Sequence, residues 1–158
     1  MTTDKDTSIT VVTRSPSETL QLANRLVAST QGALVLALHG ELGAGKTCFV
    51  QGLGQAMGIR DAITSPTFTL VGEYQGSDRT LYHFDLYRLH DADELWALGF
   101  DEYLNQNGIV AIEWAERAED TLPADTIHVH FEVKDATTER CIRFSNLPPE
   151  LQHFDTVA

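Results

Sequence analysis

Apolar positions along the chain change their spacing several times, and each change marks an element. Residues 33–38, ALVLAL, show no alternation and are too few for a typical helix, which predicts a central strand covered on both faces. GIVAIEW, at 108–114, is a second such run. Leu20, Ala23, Leu26 and Val27 instead form a helical stripe. A helix is therefore predicted after a short strand at 8–13, opened by Ser15, Pro16 and Glu18 in capping-box spacing and ended by Gly32. A further helix is expected from Lys46 to Gly58.

TFTLVGEY and TLYHFD flank the turn-rich QGSD, so 67–85 reads as a hairpin. Asp91 and Glu94 repeat the capping-box spacing and open a short helix through Leu98, closed by Gly99, with FDEYL adding a turn. TIHVHFEV alternates cleanly and RCIRFS can pair with it as a last hairpin. Strands interleaved with helices make the fold α/β.

Composition narrows the function. The 158 residues suit one domain over 1–158, with 1–6 and 146–158 expected to fray. A formal charge of −12, with lysine only at Lys5, Lys46 and Lys134, argues against a surface that neutralises nucleic-acid phosphates. Any link to RNA should run through a protein partner. Cys48 and Cys141 lie far apart without metal-ligand spacing, and no signal pattern or bilayer-length apolar run occurs. A cytoplasmic location without membrane attachment is expected.

Directly after the first buried run stands GELGAGKT, which fits G-x-x-x-x-G-K-S/T between a predicted strand and a predicted helix. A loop of consecutive backbone N–H groups wraps a polyphosphate only where side chains do not intrude, and the following helix aims its positive end at the same place. Gly40, Glu41, Leu42, Gly43, Ala44, Gly45, Lys46, Thr47 and Cys48 are thus the candidate nucleotide contacts. Lys46 reaches the β- and γ-phosphates, and the Thr47 hydroxyl ligates Mg²⁺. The expected architecture is a P-loop NTPase-like sheet, mainly parallel with antiparallel hairpins, flanked by helices.

A nucleotide-bound Mg²⁺ also calls for an acid on a neighbouring strand. Glu113 ends IVAI and Asp85 ends LYHF, and the reading gives Glu113 to the metal and Asp85 to the attacking water. Between these elements TSPTFTL sets Thr64, Ser65, Thr67 and Thr69 around Pro66, as a γ-phosphate-sensing switch or simply as a loop entering a strand. His83, His128 and His130 are read as structural, and Trp96 and Trp114 as packing residues.

Five separated strings, GELGAGKT (40–47), SPTFTLVGEY (65–74), YHFDLYRL (82–89), ELWALGFDEYL (94–104) and IEW (112–114), together resemble the TsaE family over roughly residues 15–145. The resemblance implies a P-loop ATPase that binds ATP and Mg²⁺ and supports formation of threonylcarbamoyladenosine at position 37 of tRNA, acting through TsaD and TsaB. It implies Thr47 and Glu113 as metal contacts and Asp85 as the catalytic acid. It also places Glu18 and Arg140 near the nucleotide, although a capping box explains Glu18 and an exposed strand end explains Arg140. Glu41 departs from the family's usual aspartate. The competing readings are a nucleotide-gated binding module with incidental hydrolysis and a small-molecule kinase. A GTPase is disfavoured, because no guanine-reading N/T-K-x-D string occurs.

Overall fold

The computed structural model describes residues 8–41, 43–64, 66, 70–134 and 138–156. Among them run β1 (Ile9–Thr13), α1 (Pro16–Ala28), β2 (Leu34–His39), α2 (Lys46–Ala56), β3 (Val71–Gln75), β4 (Thr80–Asp85), α3 (Ala92–Ala97), α4 (Phe100–Leu104), β5 (Gly108–Glu113), β6 (Ile127–Val133) and β7 (Arg140–Ser145). The strands form a seven-stranded sheet in the order β1-β7-β6-β2-β5-β4-β3. Strands β6, β2, β5 and β4 are mutually parallel, whereas β3 pairs antiparallel with β4, β7 with β6, and β1 with β7. The α/β class, the parallel centre and both hairpins are as expected.

Alternation in the central strands divides the interior between two faces. Leu36, Leu38, Ile109 and Ala111 pack beneath α1 and α2 with Leu22, Leu26, Phe49 and Leu53. Ala37, Val110 and Ile112 face the other way, with Phe84, Leu95 and Phe100. β2 and β5 can be apolar up to their last residues, His39 and Glu113, because both faces are covered. On β4, Leu81 shares the α2 side while Tyr82 and Phe84 take the opposite one, so His83 and Asp85 project toward α2 by period two.

Both predicted caps form, although each glutamate reaches back to the N–H of the residue before the cap, Arg14 and His90, rather than to that of the cap itself. The Glu18 N–H donates to Ser15 Oγ at 3.2 Å and the Glu94 N–H to Asp91 Oδ1 at 3.2 Å. Helix α1 nonetheless ends at Ala28 rather than at Gly32. Its terminal carbonyls are taken by the Ser29 and Thr30 amides, while the buried Arg79 guanidinium donates to Val27 O at 3.4 Å and, beyond the helix, to Gly32 O at 3.0 Å. At the far end of α2, Gly58 adopts φ +79° just past the last turn.

Beyond Ser145 the expected fraying does not hold. Two 3-10 turns, Pro149–Leu151 and Phe154–Thr156, bury Leu147, Leu151 and Phe154 to 2%, 1% and 1% exposure. Phe154 packs edge-on against Phe144 with ring centroids 4.9 Å apart. Three apolar side chains suffice to hold a tail whose composition is otherwise that of a loop. Residues 1–7, 157 and 158 lie outside the described residues.

Candidate functional site

Parallel strands end together, so the loops that leave them gather at one edge of the sheet. β2 runs into the 40–45 loop, β4 ends at Asp85, and β5 ends at Glu113, with Asp85 and Leu38 both in register with Glu113. This is the edge at which open α/β sheets bind ligands.

The loop needs its glycines. Gly40 has φ +148° and Gly45 φ +109°, in the region that side chains disfavour. A Cβ on Gly40 would also lie 2.9 Å from Phe131 O. Helix α2 starts at Lys46, with Gly45 as its N-cap, no side-chain cap and no acid in its first turn among the described residues, so its positive end carries no side-chain acceptor there.

Lys46 is 4% exposed, and its Nζ donates to Gly40 O at 2.7 Å while lying 4.3 Å from the Trp114 ring centre. Burial pulls its ammonium below the ordinary lysine range, against the nearby carboxylates of Glu113, Glu116 and Asp85. Thr47 Oγ1 donates to Glu113 Oε2 at 3.3 Å. Glu113 is itself 4% exposed. Asp85 is half-buried and accepts the Tyr87 N–H at 3.0 Å.

Gly43, Gly45, Lys46, Thr47, Cys48, Asp85, Glu113 and Trp114 line one cleft of about 350 Å³, within the usual range of small-molecule sites. Next to it, across Gly43, Gly45 and Cys48, a hollow of about 210 Å³ is walled by Ser15, Pro16, Thr19, Thr138 and Arg140. Arg140 turns toward the loop, donating from Nε to Ala44 O at 3.1 Å and from Nη2 to Gly43 O at 3.4 Å. Burial raises the Cys48 thiol, with Arg140 opposing. A larger hollow of about 680 Å³, bounded by Leu34, Asp101, Asp125 and Leu151, lies at the opposite end of the sheet and contains none of the loop residues.

The two acids, Lys46 and Thr47 are thus brought together in one cleft, with Arg140 in the hollow beside it. Glu18 is not: it is exposed, and its Oε1 accepts the Arg14 N–H at 2.7 Å. Glu41 is exposed and faces a separate hollow with His39, Gly40, Trp114 and Glu116. Leu42, Ser65, Thr67 and Thr69 lie outside the described residues. Thr64 accepts the Tyr74 hydroxyl through its carbonyl at 3.5 Å.

Sequence reasoning passed over His83, whose Nε2 stands 2.6 Å from Glu113 Oε2, and His39, stacked on His130 at 4.6 Å beside the loop. Trp114, taken as packing, has φ +59° and forms a wall of the cleft. The available signal for His83 was its place two residues before Asp85, on the same face of the strand.

The oxygens of Thr47 and Glu113 are hard donors of the kind Mg²⁺ takes. Among the described residues no group of three or more His, Cys, Asp or Glu could hold a metal alone. No helix among the described residues is long and apolar enough to cross a membrane.

The family model described as "Threonylcarbamoyl adenosine biosynthesis protein TsaE" matches residues 13–142. A protein of Bacillus subtilis named "tRNA threonylcarbamoyladenosine biosynthesis protein TsaE" is 40% identical over 117 residues, covering 74% of this chain and 73% of its own. Its namesake in Treponema pallidum is 40% identical over 122 residues, 77% of this chain and 90% of its own. Among solved structures, Bacillus subtilis YdiB superposes with a TM-score of 0.76 at 31% identity, over 98% of this chain and 94% of that one.

Proposed function

The chain belongs to the TsaE family of tRNA threonylcarbamoyladenosine biosynthesis, and on that premise we propose that it is a slow, Mg²⁺-dependent ATPase serving this modification through TsaB and TsaD. The observation that carries the reading is the cleft in which Lys46, Thr47, Asp85 and Glu113 line the mouth of a glycine loop at the start of α2.

Each side chain has a physical task there. The loop amides and the positive end of α2 hold the phosphates. Lys46, buried beside Gly40 O, gains from them the counter-charge that its surroundings only partly provide. Thr47 and Glu113 would hold the cation, which when bound would offset the negative charge of the transferring phosphate. Asp85, in register beside Glu113, orients water or accepts its proton. Arg140 is bonded to the loop carbonyls and serves to shape the loop; with no arginine assigned to the transferring phosphate, turnover is slow until partners bind.

A net charge of −12 suits this division of labour, in which partner proteins hold the tRNA. The protein works in the cytoplasm as one P-loop domain. ATP hydrolysis measured with Mg²⁺, alone and with TsaB and TsaD, tests the proposal, with Lys46→Ala as the blank. Hydrolysis is expected to be weak alone and stimulated by the partners. Asp85→Asn should bind ATP yet lose on the order of 10²–10⁴ in rate. Absence of both binding and hydrolysis in the wild type, with partners present, would end the reading. An Asp85→Asn protein that still supports full tRNA modification would favour the nucleotide-gated module.

A further inference from the structure

Glu113 is held from behind. Its Oε2 accepts two hydrogen bonds, from Thr47 Oγ1 at 3.3 Å and from His83 Nε2 at 2.6 Å. His83 is 0% exposed, and its Nδ1 has no hydrogen-bond partner among the described residues. That missing partner assigns the proton. Were Glu113 to donate to Nε2, the ring would carry its proton on Nδ1, as a buried N–H with no acceptor. An unpaired buried donor is rarer and costlier than an unpaired lone pair. His83 therefore donates through Nε2, and Glu113 accepts as a carboxylate.

We propose that His83 is a positioning residue for the cation-binding carboxylate: it fixes the Glu113 side chain in the orientation that Mg²⁺ requires when it arrives with the nucleotide. This rests on the nucleotide reading given above. The two contacts differ in strength. The His83 contact is short and fully buried, whereas the Thr47 contact is near the limit of a hydrogen bond. Thr47 can be given up to the cation while His83 keeps Glu113 in place. Strand period explains the economy of the arrangement, since His83 and Asp85 project from the same face of β4 and Asp85 is in register with Glu113. One short segment thereby supplies both the support for the metal ligand and the acid beside it.

The test is cation affinity, measured apart from turnover. Full-length wild type, His83→Leu and His83→Gln are each loaded with a non-hydrolysable ATP analogue and titrated with Mg²⁺ by calorimetry; analogue binding in EDTA is measured separately. His83→Leu should need about 10- to 100-fold more Mg²⁺, the usual loss when a ligand's supporting hydrogen bond is removed, with analogue binding in EDTA unchanged. His83→Gln, whose amide donates from a similar reach, should recover most of that loss.

Unchanged Mg²⁺ affinity in His83→Leu overturns the proposal. So does a His83→Gln protein as impaired as His83→Leu, which would make the ring a space-filler, or equal loss with and without cation. If His83→Leu fails to fold, ¹⁵N imidazole spectra of the wild type decide: Nε2 should be protonated, Nδ1 bare, and the Nε2 resonance should move on adding Mg²⁺ to the analogue complex. A still resonance or the other tautomer overturns the proposal. A wild type that binds no analogue under any condition removes the nucleotide reading, and this inference with it.

Discussion

Three imidazoles crowd the flank of the glycine loop, and their proton affinities have a measurable consequence. His39, His128 and His130 stack across the paired ends of β2 and β6, with His39 Nε2 3.0 Å from His128 Nδ1. Burial, followed by His39, Arg143 and His128, lowers His130 to about 4; burial and His128 lower His39 as well. An unfolded histidine titrates near 6.5. Between that value and about 4 the unfolded chain takes up a proton that folded His130 declines, so this contribution to stability is complete above pH 6.5 and is lost as pH falls through the window. Urea midpoints should therefore drop from pH 7.5 to pH 5, and His130→Gln should shrink the drop. Of the residues at this edge, Lys46, Thr47, Asp85 and Glu113 were legible because a motif or a strand end singles them out. His83 and His39 were not, because a lone imidazole on a strand acquires meaning only from the neighbouring strand's register.

Where α1 crosses α2 the two helices meet closely. A Cβ on Gly52 would lie 2.8 Å from Ala23 Cβ, 2.8 Å from Leu20 O and 3.0 Å from Leu20 Cα, and Asn24 Nδ2 donates to Gly52 O at 2.6 Å. Alanine normally gains about 1 kcal/mol over glycine inside a helix. Here the obstacle is partly backbone, which cannot rotate aside, and overpacking of this kind costs about 1–3 kcal/mol. Gly52→Ala should therefore lower stability in urea denaturation despite its better propensity. Helix starts were readable from Ser15 with Glu18 and from Asp91 with Glu94, because caps are local. The end of α1 was not legible: the Ser29 and Thr30 amides close its last turn, while Gly32 O, beyond the helix, accepts from Arg79, which belongs to the turn before β4 and sends no local signal.

At the scale of the whole molecule, the last residues complete the core. Phe154, 1% exposed, joins the cluster beneath α1 and β7, and Phe154→Ala should cost about 3–5 kcal/mol, read from the urea midpoint, as for other buried aromatic truncations. The proline and acids of that stretch masked it, since three buried side chains spread over a loop have no period. The ordering of the sheet carries one more implication. β1 comes before every other described strand in the chain, yet its neighbour is β7, the last of them. A growing polypeptide therefore carries the β1 edge open while five other strands are made, and that edge finds its mate only once β7 has emerged.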